Sequence, residues 1–122
     1  MEQMKQALSV SEINEYIRML MDGDRVLGNV LVRGEISNFV NHYKTGHFYF
    51  SIKDEQSSLR AVMFRGNNSR LTFMPENGMR VLVCGDIRAY PRDGQTQIVV
   101  SDMQPDGAGS LALAFEQLRK KL

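Results

Sequence analysis

The sequence predicts a mainly β chain: a five-stranded barrel with a flanking N-terminal helix, a short helical insert between strands 3 and 4, and a C-terminal helix. Three observations predict it. Apolar residues recur at helical spacing over 8–22, switch to alternation from residue 29, and return to helical spacing after residue 110. Turn residues punctuate the alternating stretch. Within it, residues 65–78 break the strand pattern and carry asparagine, proline and glycine of their own.

The first helix covers 8–22. Ser9 and Glu12 have capping-box spacing, and Leu8 with Ile13 has the spacing of a hydrophobic staple. Val10, Ile13, Ile17 and Leu20 form one apolar stripe, which Met21 broadens. Gly23, inside Asp22-Gly23-Asp24, is expected to end the helix in the left-handed conformation. In the first strand Val30, Val32 and Ile36 alternate with Arg33, Glu35 and Ser37. Gly34 falls at an inward position and is expected to mark a bulge or sharp bend. Residues 38–46 read as a polar, mobile loop.

The second strand, 47–53, places Phe48, Phe50 and Ile52 on one face and His47, Tyr49, Ser51 and Lys53 on the other. A short turn, Asp54-Glu55-Gln56, leads to a third strand over 59–64, whose two faces are both apolar, so which of them is outward stays open. Asn67-Asn68-Ser69 is expected to cap a helical turn carrying Leu71 and Phe73. The fourth strand, 79–90, buries Val81, Val83, Ile87 and Ala89. Asp93-Gly94 then signals a type I′ hairpin, and the fifth strand, 95–103, buries Ile98 and Val100. Gly107-Ala108-Gly109 reads as a hinge, and Ser110 as the cap of a last helix with Leu111, Ala114, Phe115, Leu118 and Leu122 on one face. Three strands, an interposed helix and a closing hairpin make the arrangement of an oligonucleotide/oligosaccharide-binding barrel, the OB-fold. An SH3-like barrel, the nearest competitor, lacks the insert.

The 122 residues suffice for one domain with one core. Residues 1–25 are expected to form the helical flank, 26–106 the barrel, and 107–122 a hinge and the start of a helix leading to a catalytic domain outside this chain. The single Cys84 cannot form an internal disulfide, and with only His42 and His47 no metal centre is expected. No signal peptide or membrane span is visible, which points to a cytoplasmic chain with no membrane partner. Asp54 and Glu55 are adjacent and would diverge, so they read as a solvated turn and not a nuclease pair. Pro105-Asp106 with Glu116 faintly echoes a nuclease motif, but the lysine two residues on is missing from Glu116-Gln117-Leu118. The chain alone is therefore expected to be non-catalytic and to need no cofactor.

Net charge is only +1, which excludes an indiscriminate polyanion binder. The presumed outward strand residues differ: five are basic and two acidic, a local +3. Cations that track phosphates, interleaved with tyrosines that stack on bases, suit single-stranded nucleic acid. The candidates are Arg33, His47, Tyr49, Lys53, Arg60, Arg65, Arg88, Tyr90 and Gln97. Phe39 reads as packing, and Tyr43 stays open between packing and stacking.

Several strings then converge. Val32-Arg33-Gly34-Glu35-Ile36-Ser37-Asn38-Phe39, Gly46-His47-Phe48-Tyr49-Phe50-Ser51-Ile52-Lys53-Asp54, Ala61-Val62-Met63-Phe64-Arg65 and Leu113-Ala114-Phe115-Glu116-Gln117-Leu118-Arg119 resemble the N-terminal OB domain of the large subunit of bacterial exodeoxyribonuclease VII. The resemblance implies a hydrolase that degrades single-stranded DNA to oligonucleotides. It also implies catalysis in a following domain and a small subunit that docks outside this fragment. It carries a binding role to Arg33, His47, Tyr49, Lys53 and Arg65, whereas Arg60, Arg88, Tyr90 and Gln97 rest on strand geometry. An interaction module docking through its terminal helices, self-association through those helices, and an RNA-binding OB domain stay open beside it.

Overall fold

The computed structural model describes residues 6–107. In chain order it contains α1 (Val10–Asp22), β1 (Val30–Asn41), β2 (Phe48–Lys53), β3 (Ser58–Met63), α2 (Arg65–Asn68), β4 (Arg80–Tyr90) and β5 (Gln95–Pro105). The strands close a barrel in the order β1-β2-β3-β5-β4. All neighbours are antiparallel except β3 and β5, which pair in parallel through Arg60–Gln97, Ala61–Ile98 and Val62–Val99. A parallel pair needs a crossover, and the segment from α2 through β4 supplies it. The expected C-terminal helix from Ser110 lies outside the described residues.

Alternation builds the core. Ile36, Phe48, Phe50, Ile52, Ala61, Met63, Val81, Val83, Ile98 and Val100 are all buried in one cluster. Phe50 and Ile52 face Ala61 and Leu59 across the β2–β3 ladder. The third strand thus turns Leu59, Ala61 and Met63 inward and Arg60 and Val62 to the other face. Cys84 has outward parity and is nonetheless buried, in a second cluster with Leu82 and Leu31.

Two bulges shift the parity that simple alternation predicts. On β1 the ladder to β2 jumps from Ser37–Ser51 to Val40–Tyr49, so Asn38 and Phe39 together oppose Phe50. Asn38 takes φ 54°, a left-handed value asparagine tolerates better than most residues. The bulge turns Phe39 inward, 5.0 Å edge-on from the Phe48 ring. Residues 38–41 are therefore strand and not the mobile loop that their polarity suggests. On β5 the ladder to β4 passes from Gly85–Val100 to Cys84–Asp102, leaving Ser101 extra. Ser101 Oγ donates to the Cys84 carbonyl at 3.2 Å, and the inverted parity buries Met103. Gly34 sits in an unbroken register and is not a bulge. It marks a close approach, because a Cβ there would lie 2.1 Å from Ile52 Cγ2.

Helix α1 has its capping box: Ser9 Oγ accepts from Glu12 N at 3.0 Å, and Ser9 N donates to Glu12 Oε1 at 2.7 Å. It ends differently from expectation. Gly23 is right-handed at φ −87°, so no left-handed cap forms. The following turn is closed by Asp24 Oδ1, which accepts from Val26 N and Leu27 N. The stripe of Val10, Ile13, Ile17 and Leu20 stays exposed, and Met21 is the α1 residue that packs on the core. Asn14 Nδ2 ties α1 to the Pro91 carbonyl at 2.9 Å. Ser9→Ala is expected to cost about 1 kcal/mol of helix stability. Circular dichroism should register this as lost helix with little change in the barrel, since α1 buries no residue.

Two turns also differ from their predictions. Asn67 and Asn68 lie within α2 and do not cap it, and Leu71 and Phe73 follow it to pack on the core. The β4–β5 connection is a four-residue loop, 91–94, and only Gly94 (φ 66°) has positive φ, so it is not type I′. Asp93 N and Gly94 N both donate to the Tyr90 carbonyl, a longer hairpin with a single left-handed glycine.

Candidate nucleic-acid interface

The strand register sets Ser37, Ser51, Arg60, Gln97 and Arg88 in one outward row across the barrel. Tyr49 stands in the adjacent row, between Val40 and Val62. Together they form a groove of about 340 Å³ lined by Asn38, Val40, Tyr49, Ser51, Arg60 and Gln97, with Phe50 and Ala61 at its floor. No carboxylate lines it. Arg60 makes no ion pair among the described residues, so its charge is available. Tyr49 is 39% exposed, which leaves part of its ring open.

The connection between β1 and β2 borders the groove. The His47 ring stands edge-on to Tyr49 at 6.4 Å and to Phe64 at 5.0 Å. His47 Nδ1 accepts the backbone N–H of Arg65 at 3.0 Å. A nitrogen that accepts carries no proton, so a neutral His47 has its hydrogen on Nε2. His47 thus braces the loop against the start of α2. The Arg65 stem lies over Gly46, whose added Cβ would come within 2.8 Å of Arg65 Cδ.

The remaining predicted residues go elsewhere. Arg33 and Lys53 line a cavity of about 390 Å³ with Gly34, Glu35, Asp54, Glu55 and Arg80, a mixed-charge surface. Arg33 Nε binds Asp106 Oδ2 at 2.7 Å. The N–H groups of Gln56 and then Ser57 hold the Asp54 carboxyl below the usual carboxylate range, so it stays anionic beside Lys53. Arg88 and Tyr90 line a third groove of about 450 Å³ with Phe64 and Val99. There Arg88 is engaged by Asp86 at 3.3 Å and Asp22 at 3.6 Å. The structure therefore brings together Tyr49, Arg60 and Gln97, sets His47 and Arg65 at their margin, leaves Arg88 at the end of the same row but tied to Asp86 and Asp22, and separates Arg33, Lys53 and Tyr90. Val40 is an addition to the groove, and Asn38, expected in the connecting loop, joins it through the β1 bulge.

Among the described residues no group of three or more His, Cys, Asp or Glu side chains is placed to hold a metal ion. Nor is any helix there long and apolar enough to cross a membrane.

Residues 8–104 match the family of OB-fold nucleic acid binding domains. The chain is 56% identical over 119 residues to the exodeoxyribonuclease 7 large subunit of Ruminiclostridium cellulolyticum, covering 98% of this chain and 29% of that protein. It is 50% identical over 115 residues to that of Brevibacillus brevis, covering 94% of this chain and 25% of that protein. The likeness is to the N-terminal region of these subunits, and the chain spans less than a third of their length. Among solved structures it resembles a replication protein A heterotrimer bound to ssDNA, with TM-score 0.55 and 17% identity over 80% of this chain and 71% of that one. The second single-stranded DNA binding protein of Mycobacterium smegmatis has TM-score 0.53 and 12% identity, over 65% of this chain and 86% of that one. At such identities the likeness is one of fold. The closed barrel, its strand order and the match across 8–104 together make this chain a member of the OB-fold nucleic acid binding domain family.

Proposed function

We propose that this chain is the single-stranded-DNA-binding domain of an exodeoxyribonuclease VII large subunit, holding the strand while a catalytic domain elsewhere degrades it to oligonucleotides. The observation that carries the reading is the acid-free groove, where Tyr49 offers a ring face beside Arg60 and Gln97. A duplex hides its base faces in the stack, whereas a single strand can present a base to Tyr49 and a phosphate to Arg60. On this reading 1–25 flank a binding barrel at 26–106, and 107–122 lead toward the nuclease domain. The small subunit docks on that further sequence, and the enzyme works in the cytoplasm. The relatives' greater length is in keeping with this division.

A fluorescence titration with labelled oligo-dT at several salt concentrations tests it. Each phosphate contact contributes about −0.7 to the slope of log K against log salt, so roughly three to five contacts give about −2 to −3.5. A slope near zero refutes the reading. That result would favour a second one, an interaction module that docks within the nuclease assembly or on a second copy. The uncovered α1 stripe of Val10, Ile13, Ile17 and Leu20 supports that alternative. Competition between matched DNA and RNA strands separates an RNA-binding domain, since the 2′-OH distinguishes them.

A further inference from the structure

The outer face of the β1–β4 seam carries apolar side chains that are shut from water. Leu82 and Cys84 point away from the barrel core, alternating with Val81 and Val83, yet they are 3% and 4% exposed. Leu31 faces Cys84 across the ladder, and it is the described hydrophobic residue packed against the pair. Three side chains on the outside of a two-stranded ribbon do not exclude water by touching one another. Their outer surface stays wet unless a further layer lies on it. The polar neighbour does not supply that layer: Arg33, opposite Leu82, has a side chain 67% exposed and turned to Asp106.

The chain itself passes beside this face. On β5, Gln104 pairs with Leu82 and Asp102 with Cys84, and Asp106 N donates to the Arg80 carbonyl at 2.9 Å. Segment 110–122, outside the described residues, follows with Leu111, Ala114, Phe115, Leu118 and Leu122 at helical spacing and Arg119-Lys120-Lys121 near its end. As the helix that spacing predicts, Leu111 to Leu118 spans about 10 Å. From Leu82 through Cys84 to Asp86 the strand runs about 13 Å. Apolar residues thus match apolar ones, and the cations that follow match two acids: Asp102 opposite Cys84, and Asp86 two residues beyond it.

We infer that residues 110–122 of the same chain seat their apolar stripe on the outer β1–β4 face of Leu31, Leu82 and Cys84, with Arg119-Lys120-Lys121 towards Asp86 and Asp102. The inference stands apart from the groove reading. In the ring order of the strands, β3, which carries Arg60, lies across the barrel from the β1–β4 seam. The seat therefore leaves the groove open and takes the chain away on the opposite side of the barrel.

Cys84, the one cysteine of the 122 residues, reports on the seat. The full chain and its variants are treated with a maleimide, and the rate of labelling is followed by mass. Leu118→Asp is expected to raise the rate about tenfold or more, the effect of turning out one buried leucine. Leu118→Met should keep the protection, because it fills the same space. Circular dichroism checks that the barrel stays folded in each variant. Where Leu118→Asp loses the strand signal, Leu118→Ala carries the test with the same expected direction. Protection unchanged in the folded Leu118 variant and in Phe115→Asp overturns the inference. Protection of the unaltered chain that is lost on dilution, with a dimer in sedimentation, also overturns it, because a second copy then fills the seat.

Discussion

Gly85→Ala is expected to cost about 3 kcal/mol or more, a large part of the ~5–15 kcal/mol that holds a domain folded. A Cβ at Gly85 would lie 2.2 Å from the Val99 carbonyl oxygen, 2.9 Å from its carbon and 3.0 Å from Val100 Cα. All three are backbone atoms of the neighbouring strand, so no side chain can rotate away. The methyl must push β4 from β5 at the Ser101 bulge, in a ladder that runs from Val81–Pro105 to Tyr90–Gln95. Gly34→Ala offers a graded comparison. Its nearest obstacle is Ile52 Cγ2 at 2.1 Å, and the nearest backbone atom, Lys53 O, is 3.1 Å away. Ile52 is buried and must shift in a packed core, at roughly 1–3 kcal/mol. Urea denaturation of the two variants checks the ranking. A loss below about 1 kcal/mol for Gly85→Ala would show that the strands can part there, and the close-approach account would be wrong.

Close approaches of this kind leave little trace in a sequence, whereas regular alternation leaves a clear one. β2 keeps strict alternation, so Phe48, Phe50 and Ile52 are legible as core and Tyr49 as outward from the pattern alone. A bulge leaves no mark in the alternation until after it has occurred, which is why Phe39 and Met103 change faces relative to a simple count. The outward face of β3 is ambiguous for another reason: Val62 points away from the core yet is 3% exposed. Periodicity in α1 identifies which residues share a face. It does not say whether anything covers them, and here the barrel does not. In the site, Tyr49 and Gln97 are legible from parity alone, whereas Arg60 is set beside them only by the pairing of β3 with β2 and β5. Arg33 is not separable from them, because the acid that engages it, Asp106, lies far away in sequence. For Arg88 only one of its two acids, Asp86, is a sequence neighbour, while Asp22 is distant.

That separation gives the second large effect. Tyr49→Ala combined with Arg60→Ala is expected to weaken oligo-dT binding about 100-fold, whereas Arg33→Ala should change it little. Tyr49→Ala removes a stacked base, worth about 1–3 kcal/mol, and should leave the salt slope unchanged. Arg60→Ala removes a phosphate contact and should reduce the slope by about 0.7. Both residues line one groove, so their effects need not add, and the single variants must be measured beside the pair. Arg33 is already paired with Asp106 at 2.7 Å, in a cavity that holds three carboxylates of its own. An equal loss from Arg33→Ala would mean that the strand crosses the other end of the barrel, and the groove assignment would fail. The chain's net charge of +1 sharpens the expectation. With so little long-range attraction to a polyanion, affinity rests on a few local contacts, and removing one takes a correspondingly large share of it.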